Sequence, residues 1–262
     1  MHEQAADALG LRCHYQLIEV AGADREELRT LLDGVRRLGF AGVNVTFPYK
    51  EAVVDLLDEL SPGTGAIGAV NTVVVRDGRL VGYNTDTTGF ERAISPLLAA
   101  SPPGLVALIG AGGAGKAIAF ALARLAVADL SIFDTDRAKA EHLAAQLRGH
   151  QRIRIAERVE DALRDAVGVV NATTVGMLPD RGIPVPDALL HARLWVAEAV
   201  YFPLWTPLLT AAKAKGANVV TGRELAIYQA ADAFELFTGL KPSIAEMGNA
   251  FDAVIAMRYA SE

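Results

Sequence analysis

Lys50 and Asp86 are the side chains whose surroundings best suit them to move a proton. Each closes a short polar segment, Asn44-Val45-Thr46-Phe47-Pro48-Tyr49-Lys50 and Gly82-Tyr83-Asn84-Thr85-Asp86, and Ala69-Val70-Asn71-Thr72 lies between them. A lone lysine is ordinarily a solvated surface residue, and a lone aspartate a loop cap. Amides, hydroxyls, an ammonium and a carboxylate gathered at the ends of expected strands make instead a polar pocket on loops, where chemistry is usually placed. Pro48 suits the first turn of a helix and would fix the direction of the backbone that carries Lys50. A Lys/Asp pair can take the proton of an alcohol as hydride leaves its carbon, and return it when a ketone is reduced. The lysine carries the proton and the carboxylate orients it.

Hydride needs an acceptor, and Gly110-Ala111-Gly112-Gly113-Ala114-Gly115 reads as a dinucleotide loop. Gly110, Gly112 and Gly115 fit G-x-G-x-x-G: the first permits the turn, the second lets backbone approach a pyrophosphate, and the third allows close helix packing. Amides at the helix N-terminus, Gly113 and Ala114 among them, would bind the diphosphate. A glycine pattern alone is weak, but this one follows the apolar run Leu105 to Ile109 and precedes helical spacing from Lys116 to Leu125. Asp134 follows Gly115 by 19 residues, near the offset at which an acid meets the adenosine ribose hydroxyls. It predicts NAD, with NADP less favoured, because a 2′-phosphate about 4 Å away would be repelled by a few kcal/mol at an effective dielectric of about 20. Asp134-Thr135-Asp136 would also cap the helix containing Ala138 to Leu147, and Arg137 leaves room for a phosphate.

The elements that must position these residues alternate in βαβ order. Strands are expected at His14 to Val20 and Gly42 to Thr46, and helices at Arg25 to Leu38 and Lys50 to Leu60, favouring a largely parallel sheet. Asp24 and Glu27 suit a capping box, with Leu28, Leu31, Leu32, Val35 and Leu38 on one helical face. Val70 to Arg76 and Arg79 to Tyr83 form an expected hairpin around Asp77-Gly78. A helix over Thr88 to Leu98 leads to Ser101-Pro102-Pro103-Gly104, a breaker cluster. Strands then recur at 130–133, 152–156, 167–171, 194–199 and 217–221 in a doubly wound α/β pattern. Two helices, Glu224 to Phe237 and Ile244 to Met257, complete the chain. The expected fold class is α/β with two domains: 1–100 as an α/β substrate and catalytic domain, joined by 239–262 folding back on it, and 101–238 as a Rossmann-like NAD-binding domain.

Size and composition narrow the classes. A chain of 262 residues, 52% hydrophobic and 21% charged, has material for two cores and is far from the profile of disorder. Its net charge of -6 argues against a nucleic-acid partner. Cys13 is the only cysteine, so no intramolecular disulfide or thiolate metal site is expected, and a reducing cytoplasm fits. The apolar region from Leu105 to Phe133 is interrupted by Lys116, Arg124 and Asp129, too often for a membrane span. Met1 to Asp7 carries no visible secretory signal and reads as a helix. His2, His14, His142, His150 and His191 lack ligand spacing, so no metal is expected and solvated or capping roles are.

Over essentially its whole length the chain resembles the shikimate/quinate dehydrogenase family. The resemblance rests on Asn-Val-Thr-x-Pro-x-Lys at 44–50, Gly-Ala-Val-Asn-Thr at 68–72, Asn-Thr-Asp-x-x-Gly-Phe at 84–90, Asn-Ala-Thr-x-x-Gly-Met at 171–177, and Gln229-Ala230-Ala231-Asp232-Ala233-Phe234. It implies that Lys50 and Asp86 are catalytic, that Thr46, Asn71, Asp86 and Gln229 hold ring hydroxyls of a small cyclic hydroxy acid, and that Tyr201 lies near that substrate. It further implies that Asn171, Thr173 and Met177 lie along the cofactor, with Ala199 and Gly222 close to the nicotinamide. The implied activity is reversible hydride transfer between NAD and the ring hydroxyl of shikimate or quinate, in aromatic amino acid biosynthesis or quinate catabolism. A monomer or homodimer is expected.

Asp134 departs from the Asn-Arg-Thr pattern of NADP-dependent members and is similar to the NAD-using quinate/shikimate branch. A second departure concerns the start: family members carry a strand and a Ser-x-Ser-Pro loop ahead of the helix that begins here near Met1-His2. Those hydroxyls clamp the substrate carboxylate, and hydrogen bonds to a charged group contribute about 1.5 to 3 kcal/mol each, so weaker substrate binding is expected without them. Two alternatives stay open on this ground, a non-catalytic sensory homologue that binds NAD and ligand, and a dehydrogenase of an amino-substituted relative.

Overall fold

Local signals set most element boundaries in the computed structural model, which describes residues 1–260. The chain divides into two units, Met1–Thr88 with the chain from Ile227 onward, and Gly89–Ala226. The first begins with helices α1 (His2–Ala8) and α2 (Arg25–Arg37), then strand β1 (Gly42–Asn44), strand β2 (Glu59–Leu60), helix α3 (Thr64–Ile67), strands β3 (Thr72–Arg76) and β4 (Arg79–Tyr83), and the start of helix α4 (Thr85–Ala99). Helix α2 opens on a complete capping box: Asp24 accepts from the amides of Glu26 and Glu27, and Glu27 accepts from the amide of Asp24. Leu28, Leu32 and Val35 are buried, the first two in a cluster with Val53, Leu56, Val70, Val73 and Leu80, whereas Leu31 and Leu38 are exposed. The apolar face is therefore narrower than its spacing suggests. Asp77 and Gly78 turn the β3–β4 hairpin with φ of +50° and +74°, the positive values for which Asp-Gly is suited.

The first sheet runs β1-β3-β4-β2 and is mainly antiparallel, a correction to the expected parallel pairing. β3 is antiparallel to both β1 and β4, and only the short β2–β4 pair is parallel. Residues His14 to Val20 form no strand: with no neighbouring ladder to satisfy their backbone groups, Leu17 and Ile18 stay exposed. Lys50 to Leu60 is not a helix either, but turns, a short 3-10 turn at Val54–Leu56 and β2. The edge of β4 captures this segment, since Asp58 donates its amide to Leu80 and Ser61 to Gly82. His2 corrects the expectation of a solvated histidine. It is buried, stacked on Tyr15 at 4.4 Å and close to Phe234 and Phe237.

The second unit contains β5 (Leu105–Ile109), α5 (Gly113–Arg124), β6 (Asp129–Phe133), α6 (Arg137–Gln146), β7 (Arg152–Ile155), α7 (Val159–Leu163), β8 (Ala166–Asn171), β9 (Trp195–Glu198), α8 (Pro207–Ala214) and β10 (Asn218–Val220). Its sheet is wholly parallel in the order β10-β9-β8-β5-β6-β7. The winding reverses between β5 and β8, which places the loops after those strands at a topological switch point, the usual ligand crevice of such sheets. Helix α9 (Gly222–Thr238) leads back to the first unit, which α10 (Ile244–Ala260) joins. The units change inside α4 and α9 rather than at the Ser101–Gly104 breaker and residue 239. Contacts of Thr88 with Asp232, and of Asn71 with Gln229, tie those parts of the helices to the first unit.

Candidate active site

In the first unit Lys50, Asn71 and Asp86 are drawn together by backbone bonds before their side chains meet. The amide of Val70 donates to the Lys50 carbonyl at 2.8 Å, and the amide of Asn71 to the Tyr83 carbonyl at 3.1 Å. Asn84 holds the start of α4, donating its side-chain amide to Ala69 and accepting from Thr87. These bonds set Asp86, in the first turn of α4, beside Asn71. The Lys50 ammonium then pairs with Asp86 Oδ2, while Asn71 Nδ2 donates to Asp86 Oδ1 at 3.0 Å. Asn71 Oδ1 accepts from the Thr85 amide at 2.8 Å, which fixes the orientation of the amide. Asn71 and Asp86 are buried, and Lys50 retains partial exposure.

Other expected substrate residues are distributed unevenly. Gln229 reaches the cluster at the long limit of a hydrogen bond, 3.5 Å from Asn71 Nδ2. Thr46 is exposed at the start of the turn that leads to Lys50, where its carbonyl accepts from Tyr49. Tyr201 belongs to the second unit, in the loop after β9, and is 48% exposed. One polar link was not foreseen: Tyr15 donates its hydroxyl to Asn44 Oδ1, and Asn44 donates to Thr72 beside Asn71.

The glycine loop of the second unit has the geometry that a dinucleotide requires. Gly110 has φ of +101°, and an added Cβ would lie 2.9 Å from Thr173 Cγ2 and 3.0 Å from the Ala172 carbonyl carbon. At Gly115 a Cβ would fall 2.1 Å from the Gly110 carbonyl oxygen, so only glycine lets α5 start this close to the turn. A Cβ at Gly112 would meet nothing within 4 Å, which leaves the backbone open to a ligand, and no side chain caps α5 there. Gly113 and Ala114 form its first turn. Asp134 Oδ2 accepts from the Ala111 amide at 2.7 Å, which places the carboxylate against the loop. Arg137 is held by Glu141 and Glu157.

The rim after β8 and β9 is organised by Asn171, an expected residue, together with Glu198, which the sequence reading missed. Asn171 is fully buried: its Oδ1 accepts from Thr173 Oγ1 at 2.7 Å and from the Thr173 amide at 3.0 Å, and its Nδ2 donates to Glu198 at 2.8 Å. Glu198 also accepts from the Val200 amide and the Thr206 hydroxyl. Burial pushes its carboxyl up to about 8, against the lowering effect of those hydrogen bonds. The available signal was a glutamate ending the otherwise apolar Trp195-Val196-Ala197-Glu198. Ala199 donates its amide to the Asn171 carbonyl, Met177 is partly exposed, and a Cβ at Gly222 would strike the Val200 carbonyl at 2.4 Å.

Residues 1–73 match the family model described as the shikimate dehydrogenase substrate binding domain. A shikimate dehydrogenase (NADP(+)) of Streptomyces avermitilis is 44% identical, over 94% of this chain and 87% of its own length. A quinate/shikimate dehydrogenase (NAD(+)) of Corynebacterium efficiens is 42% identical, over 96% and 91%. The solved quinate dehydrogenase from Corynebacterium glutamicum in complex with NAD superposes with a TM-score of 0.84 at 39% identity, covering 96% of this chain and 92% of that one.

Proposed function

The chain belongs to the shikimate/quinate dehydrogenase family, and from that premise we propose that it oxidises a ring hydroxyl of shikimate or quinate with NAD, reversibly, using Lys50 and Asp86 to handle the proton. The oxidoreductase class and a nicotinamide dinucleotide cofactor follow from relatives that span nearly the whole chain. The open backbone at Gly112 and the close approach at Gly115 fit such a cofactor. When bound, it supplies the hydride acceptor or donor.

The observation that carries the catalytic reading is the Lys50–Asp86 pair braced by Asn71. In oxidation the neutral Lys50 amine accepts the hydroxyl proton and becomes the ammonium; in reduction the ammonium returns it to the new hydroxyl, with Asp86 fixing the direction of the side chain. Asn71, Thr46 and Gln229, all of the first unit, offer the amides and hydroxyl that would position ring hydroxyls. The preference for NAD rests on Asp134, whose carboxylate stands at the loop where a 2′-phosphate would be repelled, and on Arg137 being engaged by two glutamates. Gly110, Gly113, Ala114, Thr173, Met177, Ala199 and Gly222 line the same rim in this reading.

NADH formation from shikimate and from quinate tests the activity, and Lys50→Ala tests the proton role. A loss of about a hundredfold or more in kcat is expected, whereas intact turnover would refute the assignment.

A further inference from the structure

We infer that Glu198 is a positioning residue for the cofactor: by accepting from the Asn171 amide it decides which end of that amide faces Thr173, and so holds the turn from Asn171 to Val175. The inference rests on the cofactor reading above, which assigns this turn to the nucleotide rim. Asn171 and Glu198 close adjacent parallel strands and stand opposite one another in the ladder. An asparagine amide has a donor end and an acceptor end. An acceptor at Glu198 draws the donor end towards β9, where Nδ2 reaches Glu198 Oε1 at 2.8 Å and the Val175 carbonyl at 3.2 Å. The oxygen is thereby left for the amide and hydroxyl of Thr173, and Thr173 Oγ1 in turn accepts from the Val175 amide at 3.1 Å. Reversing the amide would set oxygen against carboxyl oxygen and donors against donors.

This turn abuts the dinucleotide loop. Ala172 and Thr173 are the groups that a Cβ on Gly110 would strike, so their displacement opens or crowds the first glycine. Glu198 is itself held from behind by the Val200 amide at 3.1 Å and by the Thr206 hydroxyl at 2.9 Å, with Thr206 capping α8. It touches neither substrate nor cofactor in this account and acts through Asn171 alone.

The test is steady-state kinetics and NADH fluorescence titration on the full chain. Glu198→Ala is expected to raise the cofactor KM and Kd about tenfold while kcat and the substrate KM stay within about twofold, a factor of ten being about 1.4 kcal/mol. Glu198→Gln should restore both cofactor constants to within about twofold, because its oxygen accepts from Asn171 as before and its nitrogen can donate to Thr206. A merely structural role would lower the melting temperature or the active fraction without this split. Should the alanine variant not fold, Asn171→Asp decides: facing Glu198 it should raise the cofactor KM about tenfold, and adding Glu198→Gln should recover at least about threefold. Unchanged cofactor constants in the alanine or Asn171→Asp variant, a glutamine variant as impaired as alanine, or no recovery in the double variant would overturn the inference. A wild type that does not bind NADH would instead overturn the cofactor reading and take the inference with it.

Discussion

Asp86 in the first unit and Glu198 in the second are built from the same parts and put to different uses. Both are buried carboxyl groups, 8% and 2% exposed, and each accepts from the side-chain amide of an asparagine, Asn71 or Asn171. What differs is the second oxygen. Asp86 gives it to the ammonium of Lys50, whereas Glu198 meets the hydroxyl of Thr206. A buried carboxylate beside a cation can keep its charge, but one surrounded by neutral dipoles bears a desolvation cost that they offset only in part. Burial accordingly raises the Glu198 carboxyl to about 8. In the proposed reading the lysine turns one carboxyl–asparagine pair into a proton-handling site, and its absence leaves the other as a brace.

The largest expected difference comes from making one isosteric change at both places. Asp86→Asn removes the charge that orients Lys50 and should lower kcat about a hundredfold or more, while Glu198→Gln leaves kcat within about twofold. Equal losses in the same NADH assay would break the comparison. A smaller effect is expected at the glycine loop. Asp134→Asn keeps an oxygen for the Ala111 amide but removes the charge, so the ratio of kcat/KM for NADP to that for NAD should rise about tenfold, or about 1.4 kcal/mol. An unchanged ratio would show that Asp134 braces the loop as Glu198 braces its rim, without choosing the cofactor.

The same two regions show why some of this was legible in the sequence. The glycine loop, its flanking strand and helix, the Asp77-Gly78 hairpin and the Asp24 cap depend on neighbours in sequence, and their residue types carry the reason with them. Lys50, Asn71 and Asp86 could be singled out because each stood in a polar segment. Glu198 left only a faint signal, a glutamate at the end of an apolar strand, since its surroundings come from Asn171 and Thr206, brought to it by a parallel ladder and a helix cap. The strand expected at His14 to Val20 failed for the complementary reason. An apolar run makes a strand only where another ladder accepts it, and among the described residues β1 has β3 alone as its neighbour. The helix expected from Lys50 lost its residues from Asp58 onward to the edge of β4, a competition that local spacing does not register.

The test with the smallest effect on turnover reads stability, and it should divide the units by pH. His2 is buried in the first unit, and burial chiefly lowers its pKa from 6.5 to about 4. Between those values the unfolded chain takes up a proton that the folded one refuses, so the His2 contribution to the first unit is complete above about 6.5 and is lost as pH falls towards 4. Glu198 runs in the opposite sense. Its pKa rises from 4.5 to about 8, so the folded second unit keeps a proton that the unfolded chain releases, and its contribution is complete below 4.5 and lost as pH rises through 8. Amide hydrogen exchange, corrected for the intrinsic rate at each pH, should therefore show α1 loosening first on acidification and the ends of β8 and β9 first on alkalinisation. Glu198→Gln does not titrate and should flatten the alkaline limb by at most about 1.4 kcal/mol per pH unit, leaving the acid limb untouched. His2→Phe keeps the aromatic stack with Tyr15 and should do the reverse. If either variant flattened both limbs, the two groups would not be acting in separate units, and the contrast between a charged site and a neutral brace would lose its thermodynamic footing.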